Sequence, residues 1–210
     1  MASFNYAARE LCAKIIYYGP GMSGKTTNLD IIHRHTPPER KSSMTSLASQ
    51  SERTIFFDFL PLDLGEIKGF TIKLHLYSVP GQSYYNATRK LVLRGVDGIV
   101  FVADSAEDKL KENIESFRNL EDNLMLYNYK REEIPIVIQY NKRDLANALS
   151  IDTLNRYVNI YNLPWTKAVA DQCNGVFDTL KLIGKLTVRQ LERKYSSGIP
   201  VRRKRVEACS

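Results

Sequence analysis

The spacing Gly19-x-x-x-x-Gly24-Lys25-Thr26 constrains this chain more than any other feature. An apolar run, Ile15-Ile16-Tyr17-Tyr18, precedes it and a helical pattern follows, so the stretch reads as strand, glycine-rich loop and helix start. Glycines let successive backbone N–H groups converge on one centre, and the helix start adds unpaired N–H groups and the positive end of its dipole. A loop of this kind cradles phosphate oxygens. Gly19, Gly21, Met22, Ser23, Gly24, Lys25, Thr26 and Thr27 are the residues expected around them. Lys25 supplies a point charge for the β- and γ-phosphates, and the Thr26 hydroxyl is placed to ligate Mg²⁺. The competing reading is an ordinary glycine-rich turn, which the flanking strand and helix patterns disfavour.

The 210 residues fit one domain with a proper core. No run approaches the roughly 20 apolar residues of a membrane span, and the first residues lack a signal-peptide pattern. Cys12, Cys173 and Cys209 are odd in number and far apart, which points to a reducing, cytoplasmic setting. His33, His35 and His75 show no metal spacing. The net charge of +7 is concentrated in Arg202, Arg203, Lys204 and Arg205, so the body is only mildly basic and no specific nucleic acid is expected. Residues 1–195 therefore read as the folded domain, and 196–210 as a disordered basic tail whose other role would be contact with anionic lipid. Glu207-Ala208-Cys209-Ser210 is not a prenylation box.

Along the chain, strands alternate with helices. Pro37-Pro38 ends the first helix, and the polar, Ser-rich residues 39–53 predict an exposed loop. Residues 54–64 and 70–79 flank a Gly65–Gly69 turn. The second run alternates Phe70, Ile72, Leu74 and Leu76 against Thr71, Lys73 and His75, a half-buried strand antiparallel to its predecessor. Continuous apolar runs at 99–103 and 136–140 predict strands covered on both faces. Helices are expected near 86–94, 107–126, 151–161 and 176–195, and a short strand near 165–169. The pattern gives an α/β fold with a mostly parallel, doubly wound sheet, one antiparallel strand and helices on both faces. Loops at the carboxyl ends of the strands should carry the site.

Other motifs fall where that rule puts them. Asn141-Lys142-Arg143-Asp144 follows the strand at 136–140. The Asp144 carboxylate can accept two hydrogen bonds from the donor edge of guanine; adenine offers no matching pair and would leave the carboxylate unpaired. Asn141 is expected to fix the loop and meet the N7 side of the base, and the Lys142 stem to cover the ring. In series with the phosphate loop, this tetrapeptide makes the expected nucleotide GTP, exchanging with GDP.

The order of phosphate loop, threonine-bearing loop, Pro80-Gly81-Gln82 and Asn141-Lys142-Arg143-Asp144 resembles that of the Ras-like small GTPases, whose fold is of the P-loop NTPase class. The stretches 17–21, 53–61 and 79–82 look closer still to the MglA branch, bacterial GTPases of gliding motility and cell polarity. The likeness runs from about residue 4 to about 193. It implies that Thr54 binds Mg²⁺ and senses the γ-phosphate, that Gln82 orients the attacking water, and that Gly81 donates its N–H to the γ-phosphate. Gly21 matches the position where a side chain would crowd that glutamine. Arg53 resembles an arginine finger supplied in cis.

Two departures stand out. Relatives usually carry an aspartate that holds Mg²⁺ through water where this chain has Ser78, so another carboxylate, Asp58 or Asp104, is a candidate substitute. Ala168-Val169-Ala170 stands where many relatives have Ser-Ala-Lys, which leaves Val169 and Ala170 at the base, with Ala170 offering only its backbone N–H. The resemblance implies a partner, an MglB-like roadblock-domain dimer that activates hydrolysis, effectors that bind the GTP state, and gathering at a cell pole. Two other classes remain open at this point, a nucleotide-bound scaffold with little hydrolysis and a nucleic-acid-binding NTPase. The second would call for aromatic residues among the basic cluster, and none are there.

Overall fold

A computed structural model describes residues 3–5, 9–47, 57–67, 69–82 and 85–196. The strands are β1 (Ser3–Asn5), β2 (Glu10–Tyr18), β3 (Thr45–Leu47), β4 (Phe57–Ile67), β5 (Phe70–Ser78), β6 (Gly98–Asp104), β7 (Ile136–Asn141) and β8 (Trp165–Lys167). The helices are α1 (Lys25–His35), α2 (Asn86–Leu93), α3 (Leu110–Met125), α4 (Ile151–Tyr157) and α5 (Val176–Ser196). Along the sheet the order is β3-β4-β5-β2-β6-β7-β8, with β5, β2, β6, β7 and β8 parallel and β4 antiparallel to β5. Right-handed helical crossovers between parallel strands require this layering.

Side-chain alternation along β2 divides the core between the two faces. Leu11, Ala13, Ile15 and Tyr17 join α1 and α5 in one cluster, while Ile16 and Tyr18 join α2, α3 and α4 in the other. β6 and β7 are buried at every position, as their unbroken apolar runs require. β5 is buried only at alternate residues, because the hairpin it makes with β4 extends beyond the helices on one face. Trp165 is part-exposed and lies 5.7 Å from the Tyr140 ring, a packing role.

The expected fold class is the observed one, with local additions. The stretch expected as loop contains β3, paired antiparallel with β4. The unforeseen β1 pairs with Glu10–Cys12 on the edge of β2 that β6 reaches only from Ile15 onward. β4 runs past Gly65 to Ile67, accommodated by a register shift between Asp63 and Glu66. α4 stops at Tyr157 rather than near 161. The Asn159 side chain explains this, since it accepts from Leu163 N (2.7 Å), donates to Leu163 O (2.9 Å) and so draws the chain into a turn. Among the described residues no helix is long and apolar enough to cross a membrane. Arg53, Thr54 and the tail from 197 onward, including Arg202, Arg203, Lys204, Arg205 and Cys209, lie outside the described residues.

Candidate functional site

The carboxyl ends of β2, β5, β6, β7 and β8 lie along one edge of the sheet, and the expected motifs follow them there. After β2 the chain turns at Gly19 and re-enters α1 through Gly24, whose φ of 98° belongs to the left-handed region. A Cβ at Gly24 would stand 2.2 Å from Asn141 Nδ2, so this loop also needs glycine for close approach. No side chain caps α1, which leaves its first N–H groups for an anion. Met22 is exposed, Ser23 buried, and Thr27 part-buried in the first turn.

Lys25 is buried, and its ammonium donates to the Pro20 carbonyl with Ser23 Oγ 3.5 Å away. Burial lowers its pKa to about 7; the Arg89 charge adds to the fall, Asp58 opposes it, and Lys142 adds a smaller decrease. A bound phosphate favours the charged form and raises that value again. Above pH 7 the free site must therefore take up a proton as nucleotide binds, so affinity falls with rising pH, by at most about tenfold per unit. Calorimetry of GDP binding at pH 8, run in buffers of different ionisation enthalpy, is expected to register proton uptake. Its absence would contradict the lowered pKa.

Thr26 Oγ1 donates to Asp58 Oδ2 at 2.7 Å, Ser78 Oγ donates to the same oxygen at 2.5 Å, and the two hydroxyls lie 3.5 Å apart. The β4–β5 register brings this about by placing Asp58 directly opposite Ser78. Three hard oxygen donors beside the phosphate loop fit Mg²⁺, which keeps several waters and takes one or two carboxylates plus phosphate. Asp104 is 1% exposed and engaged elsewhere, accepting from Lys142 Nζ (2.6 Å) and Ala106 N (3.0 Å). The geometry thus separates the two candidates, Asp58 beside Thr26 and Asp104 beneath the base loop. Among the described residues no group of three His, Cys, Asp or Glu side chains is placed to hold a metal.

Gly81 packs on the phosphate loop so tightly that a Cβ there would stand 2.3 Å from Gly21 N. Gln82 follows, exposed, with a Cβ at Gly21 falling 3.8 Å from its Cγ. Gly21 and Gln82 are therefore neighbours, as the resemblance implied.

On the base side, Asn141 donates from Nδ2 to Ser23 O (2.8 Å) and accepts at Oδ1 from Ala170 N (2.9 Å). This bears on the expectation for Ala170. The Ala170 N–H is held by Asn141 instead of being presented to the base, and the Val169 N–H is held by Asn174 O (3.0 Å), because the loop after β8 closes onto the end of β7. Asn141 joins the phosphate loop to the base loop through its Nδ2 bond to Ser23 O. Lys142 takes φ 61° and pairs with Asp104, which fixes its stem, while Asp144 stands exposed at the rim.

A family model for the ADP-ribosylation factor family matches residues 3–193. The chain belongs to that family. The protein described as mutual gliding-motility protein MglA, from Myxococcus xanthus, is 51% identical over 193 residues, 92% of this chain and 99% of that protein. The human ADP-ribosylation factor-like protein 4A is 26% identical over 159 residues, 72% of this chain and 70% of that protein. These matches make the chain a small GTPase of the MglA type, as its motifs led one to expect.

Sequence reading missed one part of this Arf-family site. Asn28 and Gln139, both fully buried, exchange side-chain amide hydrogen bonds of 2.8 and 2.9 Å between α1 and β7, the elements that carry the phosphate loop and the base tetrapeptide. Gln139 also donates to Thr179 Oγ1 on α5 (2.9 Å), and Asn28 donates to Gly24 O (2.8 Å). The available signal was a lone glutamine inside the apolar run 136–140. A buried amide must find partners, and only the topology supplies them.

Proposed function

We propose that this protein is a guanine-nucleotide switch that binds Mg²⁺·GTP, hydrolyses it slowly alone, and governs gliding motility or cell polarity by binding partners in the GTP state. The observation that carries this reading is the joining of the phosphate loop to the base loop by the Asn141 amide, which donates from Nδ2 to Ser23 O. A site in which phosphate and base subsites are held at fixed separation selects a whole nucleotide, and the Asp144 carboxylate selects guanine. Similarity to the Myxococcus gliding-motility protein over almost all of that protein's length supports the cellular role.

In this reading Thr26, Asp58 and Ser78, together with Thr54, would hold Mg²⁺, which would supply positive charge against the phosphates. Gln82 orients the attacking water, and Arg53 offsets charge as the bond to the leaving group breaks. The partner is an MglB-like roadblock-domain dimer that arranges Arg53 and Gln82, and the protein is cytoplasmic, gathered at a pole in its GTP form. Substituting Asp58→Asn is expected to raise the Mg²⁺ concentration needed for half-maximal GTP retention by about tenfold. Unchanged Mg²⁺ dependence would remove Asp58 from the metal site. Exchange of labelled GDP against GTP, ATP and inorganic phosphate tests the nucleotide reading itself; displacement by ATP as readily as by GTP would overturn it.

A further inference from the structure

Arg89 lies on α2, seven residues after Gln82, and is 3% exposed although it carries a full charge. Its Nη2 donates to the Gln82 carbonyl at 3.1 Å. The same carbonyl accepts from Tyr85 N at 3.2 Å, so the peptide after Gln82 is held from two sides. The guanidinium carbon sits 5.8 Å from the Tyr18 ring, the last residue of β2 before the phosphate loop. Arg89 and Gln82 share the walls of a crevice of about 370 Å³ with Pro20, Gly21 and Gly81.

The start of α2 is itself anchored. Asn86 Oδ1 accepts from Asn123 (2.9 Å) and Asn119 (3.2 Å) on α3. The Tyr18 hydroxyl donates to Asn119 Oδ1 (2.6 Å) and accepts from Asn123 Nδ2 (3.1 Å). Asn86, Asn119, Asn123 and Tyr18 thus form one network running from β2 through α3 to the first turn of α2. Arg89, one turn further on, reaches back from that fixed base to the Gln82 peptide. On the opposite side, Gly81 is wedged against the phosphate loop.

We propose that Arg89 is a positioning residue for hydrolysis, holding the Gln82 peptide so that an exposed side chain on a short loop leaves from a fixed backbone. The proposal rests on the reading that Gln82 acts on GTP at this site. A charge-assisted bond to a carbonyl in a buried setting is among the stronger hydrogen bonds available to a loop. Losing it frees the Gln82 peptide to rotate, and a displacement on the order of 1 Å at a water-positioning group costs about a hundredfold in rate. The phosphate and base loops are secured independently of this bond by Asn141 and the Asn28–Gln139 pair, so the Arg89 charge reaches the nucleotide site only through its lowering of the Lys25 pKa.

The test is single-turnover hydrolysis of GTP pre-bound with Mg²⁺ to the full-length protein, comparing wild type with Arg89→Met, Arg89→Lys and Gln82→Leu, with the GTP dissociation rate measured on each. Arg89→Met keeps an apolar stem of similar length and removes the donors. Its hydrolysis rate is expected to fall about ten- to a hundredfold, Arg89→Lys to recover part of the loss, and dissociation to stay within about threefold of wild type. A faster amide exchange across residues 81–85 in the Arg89→Met variant is expected alongside. Unchanged hydrolysis in Arg89→Met overturns the proposal. A matching rise in GTP dissociation also overturns it, since Arg89 would then be a general packing residue. If Gln82→Leu hydrolyses GTP as fast as wild type, the underlying reading of Gln82 fails instead, and the two failures are distinguishable.

Discussion

Replacing Gln82 with leucine is expected to leave GTP bound but to slow partner-stimulated hydrolysis by about 10³-fold. The expectation follows from place and chemistry together. Gln82 directly follows Gly81, whose backbone touches Gly21 of the phosphate loop, so an amide at 82 is within reach of a water approaching the γ-phosphate. Leucine has nearly the same volume and no donor or acceptor, so it removes the water contact without disturbing Gly81. The affinity for GTP should stay within a few-fold, because Lys25, the start of α1 and the base loops are untouched. A release assay for inorganic phosphate after a single turnover separates these quantities. Hydrolysis at the wild-type rate would assign the water to another residue, and loss of GTP binding would mean that Gln82 supports the loop.

Asp144→Asn should act on selectivity, lowering the preference for GTP over other purine nucleotides by about 10²-fold or more. In the proposed function the carboxylate accepts two bonds from the N1 and N2 donors of guanine. An amide turns one of those acceptors into a donor, setting N–H against N–H and leaving both poorly satisfied. By the same reasoning the variant gains affinity for xanthosine triphosphate, whose C2 carbonyl accepts from the new N–H. Because Asp144 is exposed and Asn141, Lys142 and Arg143 hold the loop by other bonds, the variant should fold normally. Competition of unlabelled nucleotides against labelled GDP measures the shift. A selectivity profile identical to wild type would place the guanine contact elsewhere.

What could be read in advance divides by the range of the interaction that produces it. The phosphate loop, the half-buried β5 and the doubly covered β6 and β7 are local patterns, visible because glycine spacing and hydrophobic period leave their mark within a dozen residues. The choice between Asp58 and Asp104 was not local. Both close or begin strands, and only the antiparallel register sets Asp58 across from Ser78 and so beside Thr26. The same holds for Ala170, whose N–H was legible as a donor but whose partner, Asn141, ends a strand 29 residues earlier. Buried polar pairs were the least legible. Asn28 and Gln139 stand 111 residues apart, and each alone looks like an isolated polar residue on an apolar element. Nothing in the sequence sets Arg89 apart from the other cations of the chain, and only the fold turns it inward onto Gln82. These are also the contacts that tie the subsites together, so the chemistry was legible before the mechanics that hold it in place.

The most direct test of the central claim is single-turnover hydrolysis of γ-labelled GTP with Mg²⁺, with and without a roadblock-domain dimer, for wild type and Arg53→Ala. A switch that carries its own arginine predicts slow phosphate release from wild type alone, strong stimulation by the dimer, and loss of that stimulation in Arg53→Ala with GTP still bound. GTP that stays bound and intact in wild type under all conditions would contradict the account and leave a nucleotide-loaded scaffold in its place.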